Sequence, residues 1–239
     1  MDTAVIIGVG PEQGLGAQLC RRFATHGLHV VAAGRTQAKL DAVVATIADT
    51  GGQASGVVAD ATREADIVAL FERARDIGPV RLVIYNAGNN MPGGVADMTG
   101  DYFEQAWRIG CFGGFVTARE AVAAMTTGGG TLLFTGASAS LRGKAGFGAF
   151  AAAKAALRAL AQAVAKEAGP AGIHVAHVIV DGAINGDKVR QKFPDYAEKL
   201  GASGLVDLAA IVDAYEFLWR QPAGGWSFEL DLRTAIESW

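Results

Sequence analysis

The feature that most constrains the fold of this chain is a regular alternation of short apolar segments with longer segments of helical periodicity. The short segments are predicted to be strands: Ala4–Ile7, Leu28–Ala33, Ala54–Ala59, Arg81–Tyr85, Thr131–Thr135, His174–Val180 and Trp226–Leu232. The longer segments are predicted to be helices: Leu15–His26, Gln37–Asp49, Glu64–Asp76, Asp101–Met125, Phe147–Ala168 and Leu208–Arg220. This alternation predicts a doubly wound α/β fold, in which a parallel sheet of about seven strands is covered by helices on both faces.

Composition agrees with one such domain spanning residues 1–239. Hydrophobic residues make up 51% of the chain and charged residues 19%, which suits strands that are buried on both faces. The net charge of −3 and the absence of a Lys/Arg run argue against nucleic acid as a partner. No apolar run approaches the roughly 18 residues of a membrane span, and the first strand leaves no room for a signal peptide. We therefore expect a cytoplasmic protein that neither enters a membrane nor binds nucleic acid.

A glycine-rich segment leads from the first predicted strand into the first predicted helix. Its candidate ligand residues are Gly10, Gln13, Gly14, Leu15 and Gly16. Glycines in a turn of this kind let the backbone approach a diphosphate closely, and the following helix directs its free N–H groups at the phosphates. Glycines also serve ordinary turns, but the placement between strand and helix favours a dinucleotide site.

The end of the second predicted strand reads Gly34-Arg35-Thr36. In NAD-binding domains an acidic residue here accepts a hydrogen bond from the ribose 2′-hydroxyl, and it would repel a 2′-phosphate. Arg35 instead offers a planar set of donors to that phosphate. This pattern favours NADP(H) over NAD(H); the alternative is an arginine that is merely exposed at a strand end.

Three motifs occur in the same order as in a known family. Gly10-x-x-x-Gly14-x-Gly16, Asp60 after the third strand and Asn86-Ala87-Gly88 after the fourth make the chain resemble the short-chain dehydrogenase/reductase family. The resemblance implies a Rossmann-type domain with strand order 3-2-1-4-5-6-7. It also implies that Asp60 and Ala61 lie at the adenine, and that Asn86, Ala87 and Gly88 support the first strand and border the ribose.

The catalytic residues that this resemblance implies are mostly missing. The family uses a Tyr-x-x-x-Lys motif, a Ser thirteen residues before the Tyr and an Asn in the preceding long helix. Lys154 is present, but Phe150, Ala137 and Gly110 stand at the Tyr, Ser and Asn positions, with Ser138 next to the second of them. A phenyl ring cannot donate the proton that a carbonyl oxygen needs after hydride transfer. Restoring Tyr, Ser and Asn at these three positions is expected to raise reductase activity.

Two functions remain open on this sequence. The first is an oxidoreductase for a small carbonyl or alcohol, in which Ser138, Asp181, Lys154 or a bound water replaces the phenol. Asp181 follows the sixth strand, near the nicotinamide position that the resemblance implies, and is either an acid/base or a loop cap. It opens the least regular segment, Asp181–Ser203, which has the composition of an active-site lid or a surface loop. The second function is a dinucleotide-binding sensor, scaffold or partner subunit with little chemistry.

The remaining expectations concern assembly and metal binding. Small residues along the predicted helix from Phe147 permit close helix approach and favour a homodimer or homotetramer: Ala151, Ala152, Ala155, Ala156, Ala159 and Ala163. Cys20 and Cys111 lack metal-ligand spacing, so we expect no metal and read both as buried apolar residues. The substrate is not specified by any residue that we recognise.

Overall fold

A computed structural model describes residues 1–88, 90 and 92–237. In this part of the chain the main sheet has seven parallel strands in the order β3-β2-β1-β4-β5-β6-β9. These strands are β1 (Thr3–Ile7), β2 (His29–Gly34), β3 (Gln53–Val58), β4 (Val80–Tyr85), β5 (Gly130–Ala137), β6 (Ile173–Asp181) and β9 (Glu229–Arg233). Two further strands, β7 (Ala183–Ile184) and β8 (Leu205–Val206), pair only with each other. The expected order 3-2-1-4-5-6-7 is confirmed, with β9 as the seventh strand of the sheet.

Helices cover both faces of this sheet. They are α1 (Leu15–Thr25), α2 (Gln37–Asp49), α3 (Glu64–Ile77), α4 (Gly100–Trp107), α5 (Gly113–Met125), α6 (Gly148–Ala168), α7 (Asp187–Lys192), α8 (Pro194–Leu200) and α9 (Leu208–Trp219). Successive side chains of a strand point to opposite faces, so Ala4 and Ile6 join a core with α1, α2 and α9, whereas Val5 and Ile7 join a core with α3, α5 and α6. None of the described helices is long and apolar enough to cross a bilayer.

The helix expected over Asp101–Met125 is interrupted by a π-helical turn at Arg108–Phe112, between α4 and α5. The hydroxyl of Tyr85 donates to the carbonyl oxygen of Ile109 at 2.6 Å, which satisfies an acceptor in the wider turn. Gly110 lies in the same turn, and a Cβ atom on it would stand 2.5 Å from the Cβ of Ala153 on α6. An Asn side chain at position 110 would therefore overlap Ala153, because this turn packs directly on α6.

The segment after β6 is more regular than its composition predicts. Residues 183–206, which we call the β7–β8 segment, contain the two short parallel strands and the helices α7 and α8. Asp207 follows the segment directly, and its carboxylate accepts a hydrogen bond from the backbone N–H of Ala210 at 3.0 Å and caps α9. Pairing of β7 with β8 thus anchors both ends of the segment near the carboxyl end of β6.

Candidate functional site

The carboxyl ends of the central strands meet at one edge of the sheet, where the glycine-rich segment turns from β1 into α1. Gly8 has a φ of +96°, and a Cβ on it would stand 2.5 Å from the backbone nitrogen of Ala87. Gly16 lies equally close to β1, since its Cβ would stand 2.7 Å from the carbonyl oxygen of Gly8. Both positions require glycine, because a side chain would push apart β1, α1 and the turn after β4.

The same turn is open at Gly10. A Cβ on Gly10 would contact nothing within 4 Å, and Gln13 is exposed, whereas Leu15 is buried under the start of α1. Gly14, whose N–H donates to the Pro11 carbonyl at 2.9 Å, precedes α1 and offers no side-chain cap to its first N–H groups. Open backbone beside uncapped N–H groups of an eleven-residue helix fits the diphosphate of a dinucleotide.

The adenosine side of this edge is formed by the ends of β2 and β3. Arg35 is exposed directly after β2, and in the described part of the chain its guanidinium makes no hydrogen bond or ion pair. Asp60 follows β3 and accepts hydrogen bonds through Oδ1 from the N–H and the hydroxyl of Thr62, both at 2.9 Å. Ala61 beside it is buried. A free arginine at the end of β2 fits the 2′-phosphate that distinguishes NADP(H).

The turn after β4 connects the glycine-rich segment to the next strand. Asn86 donates through its side-chain amide to the Gly8 carbonyl at 3.2 Å and accepts from the Thr135 hydroxyl at 3.1 Å. Ala87 is buried, and Gly88 is exposed. One side chain therefore ties together the ends of β1, β4 and β5, in keeping with the supporting role that the family resemblance implies. We call the space at this edge of the sheet, beside the turns that follow β1, β4 and β5, the cleft.

Lys154 is a buried cation near the carboxyl ends of β4 and β5. The residue is only 4% exposed, and its Nζ donates to the Thr135 carbonyl oxygen at 2.7 Å. Gly88 faces the ammonium group, since a Cβ there would stand 3.5 Å from Nζ. Burial, reinforced by repulsion from Lys188, lowers the pKa of Lys154 to about 8. An amine with this pKa can hold or release a proton close to neutral pH.

The positions of the missing family residues surround this lysine. The ring centroid of half-buried Phe150 lies 6.0 Å from Lys154 Nζ. Ala137 ends β5, and half-buried Ser138 opens the 3₁₀ turn that follows. The Ser138 hydroxyl makes no hydrogen bond to any residue that the structure describes, which leaves it available to a ligand. The structure thus brings Lys154, Ser138 and Phe150 into the same region of the chain's fold, at the carboxyl end of β5.

The carboxylate of Asp181 is paired with two arginine side chains. It is 2% exposed, and its Oδ2 lies 3.0 Å from Nη2 of Arg142 and 3.6 Å from Nη1 of Arg233. Arg233 is also its neighbour on β9 in the sheet register. A buried carboxylate between two guanidinium groups has the surroundings of an ion pair that joins strand ends, rather than those of a proton donor to substrate.

Behind the Ser138 turn lies a buried hydrogen-bonded chain that sequence reasoning missed. Ser140 Oγ is 3.3 Å from Nε2 of His177, whose Nδ1 is 3.0 Å from Glu229 Oε2. Arg158 holds the same carboxylate through two N–H groups at 2.6 and 2.8 Å. Burial lowers the pKa of His177 to about 4, so the ring is neutral, donating through Nδ1 to Glu229 and accepting from Ser140. The backbone N–H of Ala137 donates to Ser140 Oγ at 3.2 Å, so these hydrogen-bonded side chains are connected to the turn that contains Ser138.

The β7–β8 segment contributes a second residue that the sequence did not single out. Lys188 on α7 extends to Asn90, with 3.4 Å between Nζ and Oδ1. Partial burial, together with repulsion from Lys192 and Arg35, lowers the pKa of Lys188. Only the charge runs of α7 could have indicated it, and such runs usually mark a solvated helix face.

Comparison with known proteins agrees with this fold and site. The family model described as short chain dehydrogenase matches residues 3–197. Versicolorin reductase 1 of Dothistroma septosporum is 29% identical over 189 residues, which cover 78% of this chain and 72% of that protein. The cyclic-di-GMP-binding biofilm dispersal mediator protein of Escherichia coli is 29% identical over 185 residues, covering 76% of this chain and 73% of the relative.

A solved structure is similar over nearly the whole chain. The crystal structure of a short-chain dehydrogenase from Rhodopseudomonas palustris superposes with a TM-score of 0.83 and 36% identity, covering 97% of this chain and 98% of the other. The family model matches the chain from β1 into α8, and the structural similarity covers nearly the whole chain. The chain therefore belongs to the short-chain dehydrogenase family of oxidoreductases.

Proposed function

We propose that this chain is an NADP(H)-preferring oxidoreductase that reduces a small carbonyl compound, or oxidises the corresponding alcohol, with Lys154 as its proton-exchanging residue. The observation that carries the proposal is the buried ammonium group of Lys154, which lies between the Thr135 carbonyl of β5 and Gly88 in the turn after β4. The preference for NADP(H) rests on Arg35, which stands without a partner among the described residues where the 2′-phosphate would lie. The cofactor ligands proposed are Gly10, Gln13, Gly14, Leu15, Gly16, Arg35, Asp60, Ala61, Asn86, Ala87, Gly88 and Lys154.

The chemistry asks two things of the site. A bound reduced nicotinamide supplies a hydride to the carbonyl carbon, and the chain must supply a proton to the carbonyl oxygen. Lys154 Nζ has three N–H groups, of which one is fixed on the Thr135 carbonyl, so another can donate to substrate. Ser138 offers a hydroxyl that orients the same oxygen. Asp181 is left out of proton transfer because Arg142 and Arg233 already occupy its carboxylate.

Turnover as a function of pH tests the role of Lys154. With NADPH and a panel of small aldehydes and ketones, the rate of reduction should fall as pH rises through about 8, because the ammonium group that donates the proton is then deprotonated. Lys154→Arg is the matched variant, since arginine keeps the charge but cannot release its proton in this range. It should retain dinucleotide binding and lose turnover about 10²- to 10⁴-fold. Full turnover in Lys154→Arg would overturn the proposed proton transfer.

A second candidate is a dinucleotide-binding protein without turnover. Phe150, Ala137 and Gly110 favour it, because none of them can donate a proton to substrate. The relative named for biofilm dispersal is described by what it binds rather than by a reaction. Tight NADPH binding with no oxidation of NADPH by any carbonyl in the panel, at any pH from about 6 to 9, would favour this candidate over the enzyme. That range includes the pKa of Lys154, which is about 8.

Assembly into a homodimer or homotetramer is part of the same proposal. On α6 the exposed alanines form a stripe at helical spacing: Ala152, Ala155, Ala159 and Ala163. Small exposed residues let a second copy of the helix approach closely, as in symmetric interfaces. Light scattering at micromolar concentration should give a mass of two or four chains, and a monomeric mass would contradict the proposal.

A further inference from the structure

The start of the β7–β8 segment rests directly on the glycine-rich turn. The backbone N–H of Asp187 donates to the Gln13 carbonyl at 2.9 Å, and the backbone N–H of Gln13 donates to Asp187 Oδ2 at 3.2 Å. Gly186 is pressed against the same turn, since a Cβ on it would stand 2.5 Å from the Gln13 carbonyl oxygen. These contacts fix the position of α7 relative to the turn that would hold a diphosphate.

Lys188 extends from this anchored point across the cleft. Its Nζ lies 3.4 Å from the side-chain oxygen of Asn90, which follows β4, whereas the neighbouring Asp187 is bonded to Gln13 in the turn that follows β1. In the sheet, β1 and β4 lie between β2, which Arg35 follows, and β5, whose Thr135 carbonyl binds Lys154 of α6. Lys188 therefore stands between the two ends of the proposed dinucleotide site.

Mutual repulsion among partly buried cations is relieved when an anion binds between them. Asp187, the acidic residue next to Lys188, is already engaged by the backbone of Gln13. In a dinucleotide the 2′-phosphate of NADP(H) would lie near Arg35 and the nicotinamide ribose near Lys154, so the group between these ends is the diphosphate. We propose that Lys188 binds the diphosphate of the dinucleotide and thereby holds the β7–β8 segment over the bound cofactor. This inference rests on the proposed function, because it needs a dinucleotide in the cleft.

The roles proposed for Lys188 and Arg35 can be distinguished by comparing affinities for NADH and NADPH. The diphosphate is common to NADH and NADPH, whereas the 2′-phosphate is present only in NADPH. Calorimetric titration of the full-length protein with each dinucleotide should show that Lys188→Met weakens both by the same factor, about ten- to a hundredfold for loss of a charge-assisted contact. Lys188→Arg should bind within a few-fold of the parent, because arginine also pairs with phosphate. Arg35→Ala should weaken NADPH alone.

Lys192→Met is the matched control, because it removes a lysine from the same short helix. It should change both affinities less than threefold, and unchanged melting of unliganded Lys188→Met would exclude a folding defect. Three results would overturn the inference while the proposed function stands. They are unchanged dinucleotide affinity in Lys188→Met, an equal loss of affinity in Lys192→Met, and a loss of affinity in Lys188→Met that is confined to NADPH. A parent that binds neither dinucleotide would overturn both.

Discussion

Lys154 should lower the stability of the fold that holds it. Its side chain is 4% exposed, and burial lowers the pKa of its amine from the ordinary value of about 10.5 to about 8. A pKa drop of that size corresponds to about 3 kcal/mol of unfavourable free energy for the charged amine in the folded protein. Lys154→Met keeps an unbranched apolar stem but removes the hydrogen bond to the Thr135 carbonyl, which is worth about 1–2 kcal/mol. The substitution should therefore stabilise the unliganded protein by about 1–2 kcal/mol at pH 7.

The dependence on pH distinguishes this explanation from a general packing effect. Between pH 8 and 10.5 the unfolded chain binds more protons at this lysine than the folded chain does, so the stability of the parent rises with pH in that range. Lys154→Met lacks this dependence. Relative to the parent, the stability of the variant should therefore fall by about 2–3 kcal/mol between pH 7 and pH 10, which leaves the parent the more stable protein at pH 10.

Urea unfolding of parent and variant, followed by tryptophan fluorescence without dinucleotide, measures this difference, and groups that titrate in both proteins cancel. Lys166→Met is the matched control, because Lys166 is exposed on the same helix α6. Its difference from the parent should be small and independent of pH. A Lys154→Met variant that is less stable than the parent by the same amount at both pH values would refute the argument that a desolvated charge is held in the cleft.

Further predictions follow from the same geometry. Burial lowers the pKa of His177 to about 4, so the unfolded state binds more protons than the folded state below pH 6.5. The parent should therefore lose up to about 3 kcal/mol of stability as the pH falls from 6.5 to 4. Urea titrations of His177→Gln should show a weaker dependence of stability on pH. Phe150→Tyr combined with Ala137→Ser should raise carbonyl reduction by about 10²- to 10⁴-fold at neutral pH, measured as NADPH oxidation, and no gain would mean that the cleft does not admit these substrates. Adding Gly110→Asn to that pair should cost about 1–3 kcal/mol of stability in urea, because the new side chain overlaps Ala153; an unchanged unfolding midpoint would contradict this packing.

The sequence predicted the sheet better than the site. Strand order follows from β-α alternation and the family motifs, and it was correct through β9. The close approach of Gly110 to Ala153 could not be predicted from the sequence. The two positions are forty-three residues apart, and the sequence around each gives no signal of how closely their helices pack. The short elements of the β7–β8 segment were missed for a related reason, since α7 and α8 are fixed by contacts with distant residues such as Gln13 rather than by helix periodicity.

Individual polar roles divided in the same way. Lys154 was identified from its motif, but only the fold shows that it is buried against the Thr135 carbonyl. The sequence left Asp181 as either an acid/base or a loop cap, whereas the pairing of β6 with β9 brings Arg233 beside it. Ion pairs between residues of distant strands depend on the topology of the sheet, so they cannot be predicted from a single sequence.

The measurement that tests the central claim most directly is calorimetric titration of the purified protein with NADPH and with NADH at pH 7. We predict that each chain binds one dinucleotide, and that NADPH binds about ten- to a hundredfold more tightly than NADH, because Arg35 pairs with the 2′-phosphate. The difference should disappear in Arg35→Ala while binding of NADH is unchanged. Equal affinities for the two dinucleotides, or binding of neither, would contradict the account.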